Sequence, residues 1–180
     1  MILRTVKVSP FMAGYKAVSL LQKTAFPESE QMPLVIMHIL ALRKGIDYTA
    51  YYDGCLFCGI TYTVVTRMDV FVLYLAVDDA VRSKGYGSEI LSLLKEKYPD
   101  KQISLNVEPP DKEADNIEQR IKRIAFYERN GFLLTGYRAK DFSHEYLIMS
   151  TAHNFKIEGY KGALNKLSMH TYVPKIKYIG

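Results

Sequence analysis

The stretch "LAVDDAVRSKGYGSEIL", residues 75–91, decides how the rest of the chain reads. It leaves an apolar run, passes Arg82, Ser83 and Lys84, places glycines at 85 and 87, and enters a helical pattern. Bare backbone between the carboxyl end of a strand and the start of a helix is where α/β sheets commonly hold anions. Glycine lets main-chain N–H groups come close, and the first helical turn leaves its own N–H groups without partners. The stretch is suited to phosphate. "GYGSEI" lacks the third glycine of the dinucleotide fingerprint, and no G-K-[ST] follows as a P-loop requires. A glycine-eased turn with no ligand shows the same short pattern, so the assignment needs a second motif.

Working outward, "VFVLYLAV" (70–77) is apolar throughout, as an interior strand covered on both faces would be. Before it, "DYTAYYDG" and "CLFCGITYTVVTRMD" read as two more strands, joined as a hairpin through Asp53 and Gly54. After it, Ile90, Leu91, Leu94 and Tyr98 make one helical stripe that Pro99 ends. "KQISLNVE" then alternates Ile103, Leu105 and Val107 against Ser104, Asn106 and Glu108. Strand, helix and strand at this length predict a parallel pair with a right-handed crossover. A further helix from about Asp115 to Asn130 turns Ile117, Ile121, Ile124 and Ala125 inward and stops at Gly131. "FLLTGYRAKDF" and "HEYLIMSTAHNF" close the sheet as an antiparallel pair.

At the other end, "MILRTVKV" alternates as a first strand. Ser9 and Pro10 suit the N-cap and first position of a helix over "FMAGYKAVSLLQKTAF", with Phe11, Tyr15, Val18 and Leu21 at helical spacing. The acidic loop "PESEQMP" separates it from a second helix, "LVIMHILALRKG", closing on Arg43, Lys44 and Gly45. From about 155 to 180 the pattern leaves the structure open: "EGYKGALNKLSMH" reads as a short helix and "TYVPKIKYIG" as an edge strand or tail. No repeat or linker composition interrupts the chain, so residues 1–180 read as a single domain of α+β class with a central mixed sheet and about four flanking helices.

Composition narrows the function. The chain has 180 residues, 48% apolar and 24% charged, which suits a globular protein with a real core. Its longest apolar runs fall short of the ~20 residues a membrane span needs, and Arg4 and Lys7 interrupt any leader-like apolar segment; a cytoplasmic protein with no membrane partner is expected. The formal charge of +5 is spread along the chain, with one denser cluster at Arg120, Lys122 and Arg123, which argues against nucleic acid. Cys55 and Cys58 match C-x-x-C as a string, but there is no second pair, and strand alternation sends them to opposite faces. They read as reduced core cysteines, with no metal site.

The second motif comes forty residues on. "LAVDDAVRSKGYGSEIL" resembles the acyl-CoA signature of the GNAT superfamily of N-acetyltransferases, [R/Q]-x-x-G-x-[G/A], through Arg82, Gly85 and Gly87. "IAFYERNGF" resembles its later hallmark, [F/L]-Y-x-x-x-G-F, through Phe126, Tyr127, Gly131 and Phe132. The resemblance covers residues 1 to about 150 and implies the fold of that superfamily. It implies an acetyl-CoA-dependent N-acetyltransferase acting by direct transfer in a ternary complex on a small-molecule or peptide amine. The backbone of Arg82, Ser83, Lys84, Gly85, Tyr86, Gly87 and Ser88 would hold the coenzyme A pyrophosphate, and the main chain of Leu75, Ala76 and Val77 would pair with the pantetheine arm. Asp79 stands where the family often has proline, and Ser83 where glycine is common; neither removes a donor.

By the same likeness Tyr127 is the acid near the coenzyme sulfur, since a phenol stays protonated at neutral pH. Strand 70–77 lacks the glutamate many relatives keep as base. Glu108, at the end of its strand and on the same face as Asn106, is the candidate, either relaying a proton through water or simply solvated. A backbone N–H near Val77 would meet the oxyanion. Asn116 and Arg120, with Arg123, lie where coenzyme phosphates could be reached, though the pattern equally suits a solvated helix face. Glu28 and Glu30, in the loop that shapes the acceptor pocket of similar proteins, would attract a cationic amine, with Asn106 as a further contact. The missing strand glutamate keeps a second expectation open, a catalytically silent acyl-CoA-binding or regulatory module. The tail could pack as a homodimer element.

Overall fold

The computed structural model describes residues 2–111, 114–141, 144–169, 171 and 174–180. Phe142, His170, Tyr172 and Val173, which fall in segments read above as strand, helix and tail, lie outside the described residues. The strands are β1 (Arg4–Lys7), β2 (Ile46–Asp53), β3 (Leu56–Val65), β4 (Asp69–Val77), β5 (Gln102–Val107), β6 (Leu133–Asp141), β7 (His144–Ser150) and β8 (Lys175–Tyr178). The helices are α1 (Tyr15–Thr24), α2 (Leu34–Leu40), α3 (Tyr86–Lys97), α4 (Ile117–Arg129) and α5 (Ile157–Leu167). The strands form one mixed sheet in the order β1-β2-β3-β4-β5-β7-β6-β8. No helix among the described residues is long and apolar enough to cross a membrane. The chain divides into two compact units, Met1–Val65 with Val72–Pro99, and Thr66–Phe71 with Asp100–Gly180.

In the first unit β1 pairs antiparallel with β2, and β2 forms the expected hairpin with β3, ending at Asp53 opposite Leu56. The register slips between Tyr51, which faces Gly59, and Tyr52, which faces Phe57, so Cys58 is the extra residue of a bulge. Tyr48 of β2 pairs with Tyr62 of β3, and the aromatic row continues to Tyr74 of β4 with ring centroids 5.5 and 6.3 Å apart. Its hydroxyls pin the helical layer: Tyr62 donates to the Met37 carbonyl at 2.9 Å and Tyr74 to that of Glu30 at 2.6 Å.

Three expectations for this unit fail. The first helix begins at Tyr15, not after Pro10, because Gly14 takes a left-handed φ of 81° and breaks the run. Ser9 instead caps a local turn, its hydroxyl accepting from the Phe11 N–H, and Phe11 is 97% exposed. The second helix stops at Leu40, and the chain turns through Arg43 and Lys44 to enter β2 at Ile46. Cys55 sits exposed in the hairpin turn rather than in a strand, while Cys58 is buried, and both are free thiols.

In the second unit β5 pairs antiparallel with β7, β7 with β6, and β6 with β8. The closing segment takes the short-helix and edge-strand alternatives, as α5 and β8. Gln102 of β5 takes both main-chain groups of Lys156 at the start of α5, donating to its carbonyl at 2.8 Å and accepting from its N–H at 2.9 Å. Tyr160 of α5 is fully buried, edge-on to Phe71 at 5.2 Å. A Cβ at Gly159 would come within 2.9 Å of Asp69 Cβ, which is why a glycine sits in the helix interior there. α5 falls on the segment read as a short helix and adds to the four flanking helices expected. In α4 the inward face is Ile117, Arg120, Ile124 and Tyr127; Ile121, expected inside, is 50% exposed because it lies off that stripe.

Asp69 is buried, with Oδ2 accepting from the Ser104 hydroxyl at 2.6 Å and Oδ1 enclosed without a partner. Burial pushes its carboxyl up to about 7, against the pull of the Ser104 bond. The unfolded chain therefore ionises at this position from about pH 4 while the folded chain stays protonated, and stability falls as pH rises from about 4 to about 7. Chemical denaturation across that window should show the decline, and Asp69→Asn should flatten it; an unchanged slope would place the titration elsewhere.

Candidate active site

The strand-to-helix connection has a specific local architecture. Asp78 caps a single 3-10 turn at Asp79–Val81, its side chain accepting from the Ala80 N–H at 2.9 Å. The chain then extends at Arg82, turns left-handed at Ser83 (φ 62°) and again at Gly85 (φ 87°), and enters α3 at Tyr86. Ser83 holds a conformation that glycine takes freely and that costs another residue roughly 1–2 kcal/mol. Among the described residues, none of the amide N–H groups from Ser83 to Ser88 donates to a protein acceptor, and no side chain caps α3. Residues 82–85 and Ser88 are exposed and Gly87 half-buried. A run of open donors and the partial positive charge of a helix mouth are the features that suit an anion.

This loop is held from beneath. Tyr86 points inward, 6% exposed, into a cluster with Leu3, Tyr51, Cys58, Val81 and Ile90, and its hydroxyl donates to Asp53 Oδ2 at 2.9 Å. The tyrosine between the two glycines thus anchors the backbone they free. Arg82 extends into solvent, paired with Asp79 at 2.7 Å.

On β4, Leu75 and Val77 are half-buried and pack against the same cluster, while Ala76 is buried. Gly59 of β3 lies so close that a Cβ there would strike the Ala76 carbonyl and come within 3.2 Å of Val77 Cα. The Asp78 N–H donates to the Cys58 carbonyl at 2.9 Å. Gly59 was invisible as a site residue in the sequence, although a glycine inside a strand pattern is the signal for such a close approach.

The acidic loop is ordered as a single 3-10 turn, Glu28–Glu30. Glu28 is exposed and Glu30 half-buried. Besides donating to Glu30, the Tyr74 hydroxyl accepts from the Met32 N–H at 2.9 Å, and Gln31 donates to the carbonyls of Lys23 and Phe26. β4 therefore fixes the shape of the loop that carries both glutamates.

In the second unit, Glu108, Asn116 and Arg120 come together with Arg123. Glu108 accepts Arg120 Nη2 on Oε1 at 2.9 Å and Arg123 Nη1 on Oε2 at 3.0 Å, with its side chain 15% exposed. Arg120 also donates Nε to Asn116 Oδ1 at 2.7 Å and Nη1 to the Pro109 carbonyl at 3.1 Å, and is 19% exposed. Glu108 and Arg120 are largely enclosed rather than solvated, while Arg123 keeps the exposure of a solvated helix face. They clamp the end of β5 to the first turns of α4. Asn106 Oδ1 accepts from the Tyr160 hydroxyl at 3.0 Å, so α5 orients that side chain.

Tyr127 is the one buried residue of α4, 8% exposed, its ring 5.2 Å from Phe126 and 5.6 Å from Phe132. Its hydroxyl has no hydrogen-bond partner among the described residues. Burial pushes its pKa up to about 12, opposed by the Arg123 charge one turn away. It is a protonated donor at any physiological pH.

Residues 15–132 match the model of the Acetyltransferase (GNAT) family. A GNAT-family protein of Bacteroides thetaiotaomicron, described as an acetyltransferase, superposes with a TM-score of 0.73 at 25% identity, over 93% of this chain and 96% of that one. Arabidopsis thaliana Naa50, solved with the bisubstrate analogue CoA-Ac-MVNAL, superposes with a TM-score of 0.61 at 16% identity, covering 83% of this chain and 98% of its own; that likeness is one of fold. The Bacillus subtilis (strain 168) protein YjbC, named as an acetyltransferase, is 40% identical over 63 residues, 35% of this chain and 30% of its own length.

Proposed function

The chain belongs to the GNAT family of acetyltransferases, and from that membership we propose that it transfers the acetyl group of acetyl-CoA directly to a primary amine in a ternary complex. The observation that carries this is the open row of amides from Ser83 to Ser88 at the mouth of α3. The residues fit a diphosphate: the donors are unpartnered and a Cβ at Gly85 would meet nothing within 4 Å. The same loop would hold the coenzyme pyrophosphate, with the main chain of Leu75–Val77 along the pantetheine arm. Acetyl-CoA supplies the activated thioester carbonyl. As the amine nitrogen bonds the acetyl carbon and the C–S bond breaks, a backbone N–H near Val77 would stabilise the oxyanion, Tyr127 would give its phenolic proton to the thiolate, and the proton shed by the nitrogen would restore the phenol through water.

Glu108 acts chiefly as an anchor. Both of its oxygens are held by guanidinium groups, and relaying a proton from the amine would mean breaking one of those bonds. Glu28 and Glu30 attract a cationic acceptor, on a small molecule or a peptide, and Asn106 offers its Nδ2 hydrogens while Tyr160 holds its carbonyl oxygen.

The test is release of free thiol from acetyl-CoA with a panel of acceptors: a linear polyamine, an amino sugar, a peptide with a free N-terminus, and an N-blocked peptide containing lysine. Release dependent on one class supports the proposal and names the acceptor. Coenzyme binding without release across the panel would leave a binding module instead.

A further inference from the structure

Cations face cations across the last strand pair of the sheet. In the register of β6 with β8, Arg138 stands opposite Lys177 and Lys140 opposite Lys175. Directly paired residues, and residues two apart on a strand, share a sheet face, so all four side chains lie together. Lys140, Lys175 and Lys177 are exposed. Among the described residues the ion pair to this group is from Glu145 of β7, 3.1 Å from Arg138. Like charges directly opposite one another destabilise a sheet. Lysine on an outer strand discourages edge-to-edge association, but that does not explain the second basic row on β6.

Two further features narrow what would neutralise the patch. Tyr137 and Tyr178, which alternate with the cations, project from the opposite face, where their rings lie 5.0 Å apart; these strands offer no aromatic surface on the basic side for stacking bases. β8 is the last strand in the sheet order, so one side of its backbone has no strand partner among the described residues. We propose that an extended acidic peptide adds as a strand along β8, its alternate carboxylates meeting Lys175 and Lys177 and the basic row behind them. Alternate residues on either strand are about 6.6–6.8 Å apart, so the charges match in register, and main-chain bonds to the open edge supply the rest.

The test uses the full chain and a fluorescein-labelled deca-glutamate peptide, read by anisotropy at about 50 mM and about 0.5 M salt. Saturable binding at low salt is expected, weakened at least ~10-fold by high salt and by the Lys175→Glu/Lys177→Glu variant. That variant should melt no lower than the wild type, since its charges now oppose those of β6. Should reversed charges disturb the edge, Lys175→Gln/Lys177→Gln is expected to weaken binding at least ~3-fold. A thymidine oligonucleotide and phosphatidylserine vesicles are titrated in parallel. No peptide binding, equal binding by the folded variants, or binding of the oligonucleotide or vesicles without the peptide each overturns the proposal.

Discussion

Tyr127→Phe is expected to lower kcat by about 10²-fold or more, the usual scale for losing a positioned proton donor, while the dissociation constant for coenzyme A stays within about threefold, because no hydrogen bond to a described residue is lost with the hydroxyl. The ring contacts with Phe126 and Phe132 survive the substitution. Deleting a hydroxyl that has no partner among the described residues carries little penalty for the fold, so the melting temperature should hold. Steady-state kinetics, calorimetric titration with coenzyme A and a thermal melt read the three quantities separately. A kcat within about threefold of wild type removes Tyr127 from the chemistry. Since burial holds this phenol near 12, its own ionisation lies above the working range, and any alkaline limb seen below about pH 10 belongs to another group.

Glu108→Ala should have the largest effect on stability. It leaves Arg120, 19% exposed, with a charge matched only by the neutral oxygens of Asn116 and Pro109. Removing one partner from a pair this enclosed costs about 3 kcal/mol, or a fall of about 10 °C in melting temperature for a chain of this size. Arg123 is 44% exposed and adds little to that figure. Glu108→Gln keeps one acceptor and should lose about half as much. The pH profile separates anchoring from proton relay. An anchor leaves the acid limb of kcat/KM where it was while activity falls at every pH. A relay loses that limb, with a melting temperature close to wild type.

The middle of the chain is legible in its residues because each local preference agrees with the fold. β4 is apolar at nearly every position, with one face buried throughout and the other half-buried at Leu73, Leu75 and Val77, and the glycines that follow it sit where the backbone turns left-handed at Gly85. The errors come where one residue overrides a pattern. Gly14 cuts the first helix short although Ser9 and Pro10 precede it with good starting chemistry. Ile121 falls outside a helix face that is centred instead on Arg120, Ile124 and Tyr127.

What could not be read depends on contacts far apart in sequence. The docking of α5 rests on Gln102 and on the close approach of Gly159 to Asp69, and neither pairing leaves a local signature. The same holds for Glu108. Its position at a strand end was evident, yet only the fold brings two arginines of α4 onto its two oxygens. Tyr86 is a middle case: its place between two glycines was plain, but its role as the buried peg under the loop needed the cluster around Cys58 and Ile90.

The most direct measurement is a titration of the uniformly ¹⁵N-labelled chain with coenzyme A and, separately, with pantetheine, which lacks the diphosphate. The amide resonances of Ser83 to Ser88 should move together on adding coenzyme A and stay in place with pantetheine. Binding of coenzyme A that shifts other amides and leaves these six unmoved would contradict the assignment of this helix mouth to the diphosphate.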